Sequence, residues 1–528
     1  MEGTYQPTPR RRRVLVAGWL AILAVSGVLR GWNLGSPMEE GWHSMGLQVA
    51  NAARNHLAYG LTNTRGFMVQ NPGPASPEEF TFYTRHPPLL SLIHAAVFRV
   101  FGETLTVYRV TLICLSLMSL GLLMALAYKV YGRSTSFFSG VVMGICPHAV
   151  VWATGGEVIG DGLMAFVLAG LAGRLCLKPL MPRLGAVVEI GGYAAASLFD
   201  WPGFLAFGIP LLDALIRGRG RKAILSSLKP LLAGIALFVA IDLWVVFSMA
   251  SVPGRQAGMR STEAPLHWSA VHAIQEIIED PRHAMSFLNR YVEAQSESLS
   301  LPLVLLTCVA AALGIVRITK RSTGNRAHKS GSFPLCWTVG APSVIYCILM
   351  LRQTLAHPFI TVLILPWLAL MAGVTLSNLW SRGRMLRFCV TLWLAWYAKT
   401  AIPHEIKTLE ALRNDGIAQA CALATAESDD RDLLLLYEYR DLYIYDWYSQ
   451  RNRIYNCRSI DLPWEARRYL RSYPGAQLTY ILPPISKSIR LYGGSREAAV
   501  AEYRRIETLL DSHWGPRSVN GYRVYSIR

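Results

Sequence analysis

The chain has 528 residues, 52% of them hydrophobic, with a mean hydropathy of +0.29 and a formal net charge of +18. Several apolar stretches reach the roughly 17–25 residues that a helix needs to cross a hydrocarbon core. That excludes an ordinary soluble globule and gives a polytopic α-helical membrane protein. In such a protein an excess of Lys and Arg marks the loops kept in the cytoplasm, so the charge is read as topology and nucleic acid is excluded as a partner.

Arg10 to Arg13 precede the first apolar run. No small-x-small cleavage site follows and many spans come after, so this run is an uncleaved first helix. Eleven spans are expected, at 14–34, 105–128, 134–153, 157–177, 184–199, 201–217, 228–251, 300–317, 334–351, 357–379 and 386–402. The run 87–102 is shorter and carries His94 and Arg99, which places it as a helix in the outer interface. With the N-terminus inside, the short inner connections hold Lys129 and Arg133; Arg174, Lys178 and Arg183; Arg217 to Lys229; Arg317 to Lys329; and Arg382, Arg384 and Arg387, with no acidic residue in these five connections. Counting 87–102 as a crossing would move most of these clusters outside, against the orientation rule. The location expected is the plasma (inner) membrane with a cytoplasmic N-terminus.

Two domains follow from this layout. Residues 1–402 form a transmembrane domain with outer loops at 35–86 and 252–299, and residues 403–528 form a small extracytoplasmic α/β domain. The first loop is expected to hold an amphipathic helix near 41–58, and Trp268, Ile274, Ile277 and Ile278 suggest a surface helix in the second. The C-terminal region alternates helical runs (404–426, 461–471, 495–511) with strand-like runs (432–438, 477–482, 521–526), and lacks a phosphate loop or nucleotide fingerprint. Of the nine Cys, Cys421 and Cys457 fall in this polar region and would be able to pair outside the cytoplasm.

Charged groups at membrane depth are costly and tend to mark function. In this topology Glu39, Glu40, His43, Arg85, His86, Arg109, Glu157, Asp161, Asp200, Arg352, His357 and Lys399 all fall at or near the outer face. Glu39 and Glu40 follow the first span directly. Their mutual repulsion and partial burial would raise a carboxylate pKa toward useful base strength; the alternative is a solvated loop. Glu157 and Asp161 stand at i and i+4, a like-charged spacing that a metal ion, an Arg or a polar substrate can offset. Asp200 precedes Trp201-Pro202, where it can cap a Pro-started helix, a structural role compatible with a functional one. Arg85-His86 and His357 stand before Pro-started helices, where cations can grip a phosphate. Asp242, inside the seventh span, stands apart from this cluster.

The order of these features resembles the membrane glycosyltransferases of the C-type fold, nearest the protein O-mannosyltransferase and aminoarabinose-transferase branch. The matches are a first helix followed by an acidic pair, Arg85-His86-Pro87-Pro88-Leu89 leading into an apolar run, Glu157-x-x-x-Asp161, the Asp200-Trp201-Pro202 turn, and His357-Pro358 leading toward Leu365-Pro366. The likeness covers roughly residues 14–400. It implies a polyprenyl-phosphate-linked monosaccharide as donor, used outside the cytoplasm, and an acidic residue of the first outer loop as base. The family's Asp-Glu pair falls here on Glu39-Glu40.

The expected activity is therefore transfer of a monosaccharide to an acceptor hydroxyl or phosphate on a glycan, lipid or protein. Glu39 or Glu40 would be catalytic, and His43, Arg85, His86, Glu157, Asp161, Asp200, Arg352 and His357 would bind substrate. A divalent metal would lie at Glu40, Glu157 and Asp161 if one is used. The competing classes are a transporter or flippase of lipid-linked sugar, against which stands the lack of a paired repeat, and an assembly subunit that keeps the fold without the chemistry.

Overall fold

A computed structural model of the chain describes residues 9–32, 34–36, 45–83, 86–155, 161–216, 220–250, 333–350, 358–411, 416–426, 432–436, 450–454, 476–484 and 496–527, with isolated positions between 289 and 307 and at 445 and 449. The helices are α1 (Pro9–Gly31), α2 (Met45–Thr64), α3 (Leu89–Phe101), α4 (Leu105–Tyr131), α5 (Arg133–Gly144), α6 (Pro147–Gly155), α7 (Asp161–Ala172), α8 (Pro182–Phe199), α9 (Ile209–Ile216), α10 (Arg221–Ala250), α11 (Phe333–Leu349), α12 (Leu365–Trp380), α13 (Arg384–Ala411), α14 (Gly416–Thr425) and α15 (Arg496–His513). The strands are β1 (Met68–Val69), β2 (Phe82–Tyr83), β3 (Leu433–Leu436), β4 (Asn452–Ile454), β5 (Leu478–Leu482), β6 (Arg517–Val519) and β7 (Tyr522–Ile527). Two compact units emerge, one of residues 1–34, 84–89 and 109–409, the other of residues 35–83, 90–108 and 410–528.

Among the described residues, four helices are long and apolar enough to cross a membrane, and a fifth is obtained by joining α5 to α6. Several stretches expected as continuous spans are interrupted. The run 134–153 bends by 58° between α5 and α6, where Pro147 opens a new helix and cannot donate to the old one. The run 201–217 begins as a 3-10 helix over Trp201–Gly208 and turns α-helical only at Ile209. The stretch 357–379 likewise starts as a 3-10 helix over Pro358–Ile364. Each break coincides with a proline that apolar periodicity does not register. The expected span at 300–317 and the surface helix in 252–299 lie outside the described residues.

In the first unit α1 runs antiparallel to α4 and alongside α5: Trp19 meets Tyr128 edge-on at 5.9 Å, while Arg30 reaches Ser116 and Gly144. Arg30 is fully buried. Its Nε donates to Ser116 Oγ at 2.9 Å, and Nη1 donates to Gly144 O at 3.0 Å and to the Ser26 hydroxyl. Gly144 ends α5, so the guanidinium satisfies a carbonyl left orphaned by the helix break and places a cation at a helix C-terminus. Glu405 of α13 is also fully buried, and Arg30 acts on its charge.

Part of the positive charge of the short connections is paired with carboxylates from outside them. Arg174 pairs with Glu189 at 2.8 Å and with Asp213 at 3.6 Å, and Lys178 pairs with Glu189 at 2.9 Å. Both carboxylates belong to apolar helices, α8 and α9, rather than to the connections themselves. Small residues let α7 and α8 approach closely: a Cβ on Gly192 would lie 2.5 Å from Gly170 N.

In the second unit α2 is regular up to Gly60, where φ is +78°, close to the expected end at 58. Its Asn55 Nδ2 donates to Val69 O and Asn71 O at 2.7 and 2.8 Å, which holds the antiparallel β1–β2 ribbon. The strand-like runs of the C-terminal region are strands, in a five-stranded sheet of order β4-β3-β5-β7-β6. β3 is parallel to both its neighbours, and β7 is antiparallel to β5 and β6. All four leucines of β3 are buried, the continuous apolar signature of an interior strand. Tyr503, Ile506 and Leu510 of α15 pack with Leu433, Leu435 and Tyr480 in one core. Asn520 and Gly521, with φ of 48° and 79°, form the left-handed turn that suits a β6–β7 hairpin. Cys421 is buried on α14, and Cys457 lies outside the described residues.

Two histidines of this unit are buried. His56 bridges Thr64 Oγ1 at 2.9 Å and Ser91 Oγ at 3.2 Å, and His94 stacks against Tyr108 with ring centroids 4.4 Å apart. Burial pushes His56 down to about 4 and His94 down to about 3, from an ordinary 6.5. Both folded values lie below the unfolded one, so the unfolded chain binds more protons between them. Stability is therefore complete above about pH 6.5 and falls as pH drops through the window, by about 1.4 kcal/mol per pH unit for each histidine. Thermal unfolding in detergent at pH 7.5, 6 and 5 tests this: His94→Phe, which keeps the ring against Tyr108, is expected to flatten the decline by about half. An unchanged slope would contradict the assignment.

Candidate active site

The described part of the site is built where two proline-directed turns meet in the first unit. α8 stops at Phe199 because Asp200 is extended (φ −162°, ψ 161°) ahead of Trp201-Pro202. Asp200 Oδ1 accepts from Trp201 N at 2.7 Å, capping the 3-10 helix that Pro202 starts. Gly203 completes the turn: a Cβ there would lie 2.2 Å from the Ala196 backbone, so only glycine permits this approach. Trp201, Phe204 and Phe238 form an aromatic cluster, with centroid separations between 5.2 and 5.8 Å, that fixes the turn against α10.

From the other chain segment, His86 stands before Pro87-Pro88, which bars it from helical backbone. Its Nδ1 lies 2.8 Å from Asp200 Oδ1. The Asp200 side chain is 1% exposed and that of His86 18%. A carboxylate can only accept, so this bond puts the proton on Nδ1 and leaves Nε2 as the second working position of the ring. A buried carboxylate behind a part-exposed imidazole orients that ring for a polar or anionic group. Tyr346 of α11 lies within electrostatic reach of Asp200.

Of the residues singled out from sequence, His86 and Asp200 are thus brought into direct contact across 114 positions of chain. Asp161 is the first residue of α7, and Phe199, next to Asp200, packs against Gly162, where an added Cβ would lie 2.6 Å from its ring. The start of α7 and the Asp200 turn therefore share one end of the bundle. Glu39, Glu40, His43, Arg85, Glu157, Arg352 and His357 lie outside the described residues. Arg109 is buried and its Nη1 donates to Leu34 O at 3.0 Å, a structural tie between α4 and the end of α1. Lys399 is exposed on α13, and Asp242 is exposed on α10. Among the described residues no group of three or more His, Cys, Asp or Glu side chains could hold a metal ion.

Sequence reasoning missed Arg30, Glu405, Glu189 and Asp213, all buried. The available signal was their position inside or at the ends of apolar runs, where an ionisable group needs a partner.

No protein-family model matches the sequence, and no curated protein matches it. Solved structures do. ArnT from Cupriavidus metallidurans in the apo state is similar over 97% of this chain and 98% of its own, with a TM-score of 0.59 at 13% identity. ArnT bound to undecaprenyl phosphate is similar over 98% of both chains, with a TM-score of 0.58 at 13% identity. The archaeal oligosaccharyltransferase AglB from Archaeoglobus fulgidus, in complex with an inhibitory peptide and a dolichol-phosphate, matches 99% of this chain and 75% of its own, with a TM-score of 0.53 at 11% identity. Both are membrane proteins of the C-type glycosyltransferase fold. This chain has that fold, as the order of its motifs predicts.

Proposed function

We propose that the protein is a glycosyltransferase that moves a monosaccharide from a polyprenyl-phosphate donor to an acceptor hydroxyl or phosphate on the outer face of the plasma membrane. The observation that carries this reading is the likeness of fold over 97% of the chain to ArnT, which is also known bound to undecaprenyl phosphate. The His86–Asp200 contact supports it, because it joins two of the sequence motifs into one polar site. In the topology that goes with this reading there are eleven spans, the N-terminus is cytoplasmic, and the C-terminal sheet lies outside.

In the reaction, an acceptor oxygen forms a bond to the anomeric carbon while the bond from that carbon to the phosphate oxygen breaks. The electron pair of the broken bond leaves with the polyprenyl phosphate, and the acceptor proton passes to Glu39 or Glu40. The basic residues Arg85, His86, Arg352 and His357 stabilise the charge growing on the departing phosphate, an effect that acts chiefly in the transition state. Asp200 holds His86 in place, and His43, Glu157 and Asp161 bind the sugar or acceptor. A divalent ion at Glu40, Glu157 and Asp161 would add positive charge beside the same phosphate; the scheme works through the chain's own cations without it.

The test is incubation of the purified protein with a panel of polyprenyl-phosphate sugars, with and without lipid, glycan and peptide acceptors, measuring released polyprenyl phosphate. Release that depends on donor and acceptor together supports the proposal. Movement of labelled lipid-linked sugar across a vesicle membrane with its phosphodiester intact would instead identify a flippase.

A further inference from the structure

At the end of the first unit where α1 begins, four helices leave an open apolar groove. Val14, Gly18, Phe137, Trp380 and Leu394 line it together with Arg133, and the space is about 770 Å³. Gly18 borders open space there: a Cβ on it would meet only Phe137, at 4.0 Å. Val14 and Phe137 are exposed, as is expected of surface that faces lipid tails rather than water.

The polar groups at this groove are one-sided. Arg133, at the first turn of α5, is half-buried and makes no hydrogen bond or ion pair with any described residue. Arg387 is exposed, donates through Nε to Trp380 O at 3.0 Å, and lies over the Trp380 ring at 5.9 Å. Arg13, exposed, directly precedes Val14. No carboxylate is among the described lining residues. An apolar trough capped by unneutralised guanidinium groups matches a molecule with a hydrocarbon tail and an anionic head.

The groove is separate from the His86–Asp200 site. The groove is lined by Val14 and Gly18 near the start of α1, whereas Phe199, next to Asp200, meets Gly162 beside Leu115, whose neighbour Ser116 binds Arg30 at the opposite end of α1. We infer that the groove is a binding site for an anionic glycerophospholipid of the leaflet at which α1 starts, with its phosphate on Arg133 and Arg387 and one acyl chain between α1, α5, α12 and α13. Under the proposed orientation this is the cytoplasmic leaflet. The inference rests on the membrane fold and not on the transfer reaction.

The experiment reads co-purifying lipid by native mass spectrometry after exchange of the full chain against vesicles of phosphatidylglycerol, phosphatidylcholine or phosphatidylcholine doped with undecaprenyl phosphate. Wild-type protein is expected to retain phosphatidylglycerol over phosphatidylcholine by at least about tenfold. R133A/R387A should reduce that preference to near parity, and Gly18→Leu should lower retention of both lipids by filling the trough. Equal retention of the two phospholipids by wild type, or an unchanged preference in R133A/R387A, overturns the proposal. So does an Arg133-dependent preference for undecaprenyl phosphate over phosphatidylglycerol, which would make the groove a second substrate site. Loss of transferase activity bears on the proposed function alone, because lipid retention is measured without a sugar donor.

Discussion

Replacing Glu39 and Glu40 together by alanine is expected to lower sugar transfer by about 10²–10⁴-fold, the usual contribution of a positioned general base. Under the proposed topology the pair belongs to an outer loop, so membrane insertion and yield should remain intact. The single substitutions decide which carboxylate takes the proton: the one that matters should lower kcat nearly as far as the double, with the other acting mainly on KM. Full activity in the double variant would refute the scheme. A parallel series separates binding machinery from scaffolding at the described part of the site. His86→Ala should lower transfer, and Asp200→Asn should lower it less, since Asn still accepts the Trp201 N–H that caps the 3-10 helix. If Asp200 acts through His86, H86A/D200N should be no worse than His86→Ala alone. Additive losses would mean that Asp200 has an independent role.

The membrane class, the long helices α1, α4 and α10, and the strands β3, β5 and β7 were legible in the chain because apolar length and β-type runs report directly on burial. The breaks at Pro147, Trp201–Gly208 and Pro358–Ile364 were not, because hydropathy is blind to the backbone donor that a proline removes. The His86–Asp200 contact was legible only as two residues expected on the same face; their pairing depends on how two turns pack. The cluster of Arg174, Lys178, Glu189 and Asp213 was hidden for another reason. Its cations lie at the end of α7 and its carboxylates within apolar helices, so a count made connection by connection sees only one sign. Arg30 was hidden in the same way, as a single cation at the end of an apolar run that reads as snorkelling.

That residue should carry one of the largest stability effects in the chain. Arg30→Met removes the donor that satisfies the Gly144 carbonyl at the end of α5, together with the bonds to the Ser116 and Ser26 hydroxyls. Burial pushes the Glu405 carboxyl up to about 8, so it is largely neutral at pH 7 and the loss is that of buried polar groups left without a donor, about 1–3 kcal/mol each. Arg30→Met is therefore expected to unfold at much lower denaturant than wild type, or to fail to accumulate in the membrane. R30M/E405L should therefore be little more stable than Arg30→Met at pH 7, and any recovery measures a coupling between the two groups. Denaturant titration of the two single variants and the double closes the cycle. A double variant no more stable than Arg30→Met would show that the guanidinium acts only as a cap on α5. An Arg30→Met variant as stable as wild type would remove Arg30 from the architecture altogether. Because α5 and α6 lead directly to the start of α7, beside Asp200, the same cycle read as transfer activity reports whether this buried charge sets the geometry of the site. Activity should fall with Arg30→Met and stay low in the double.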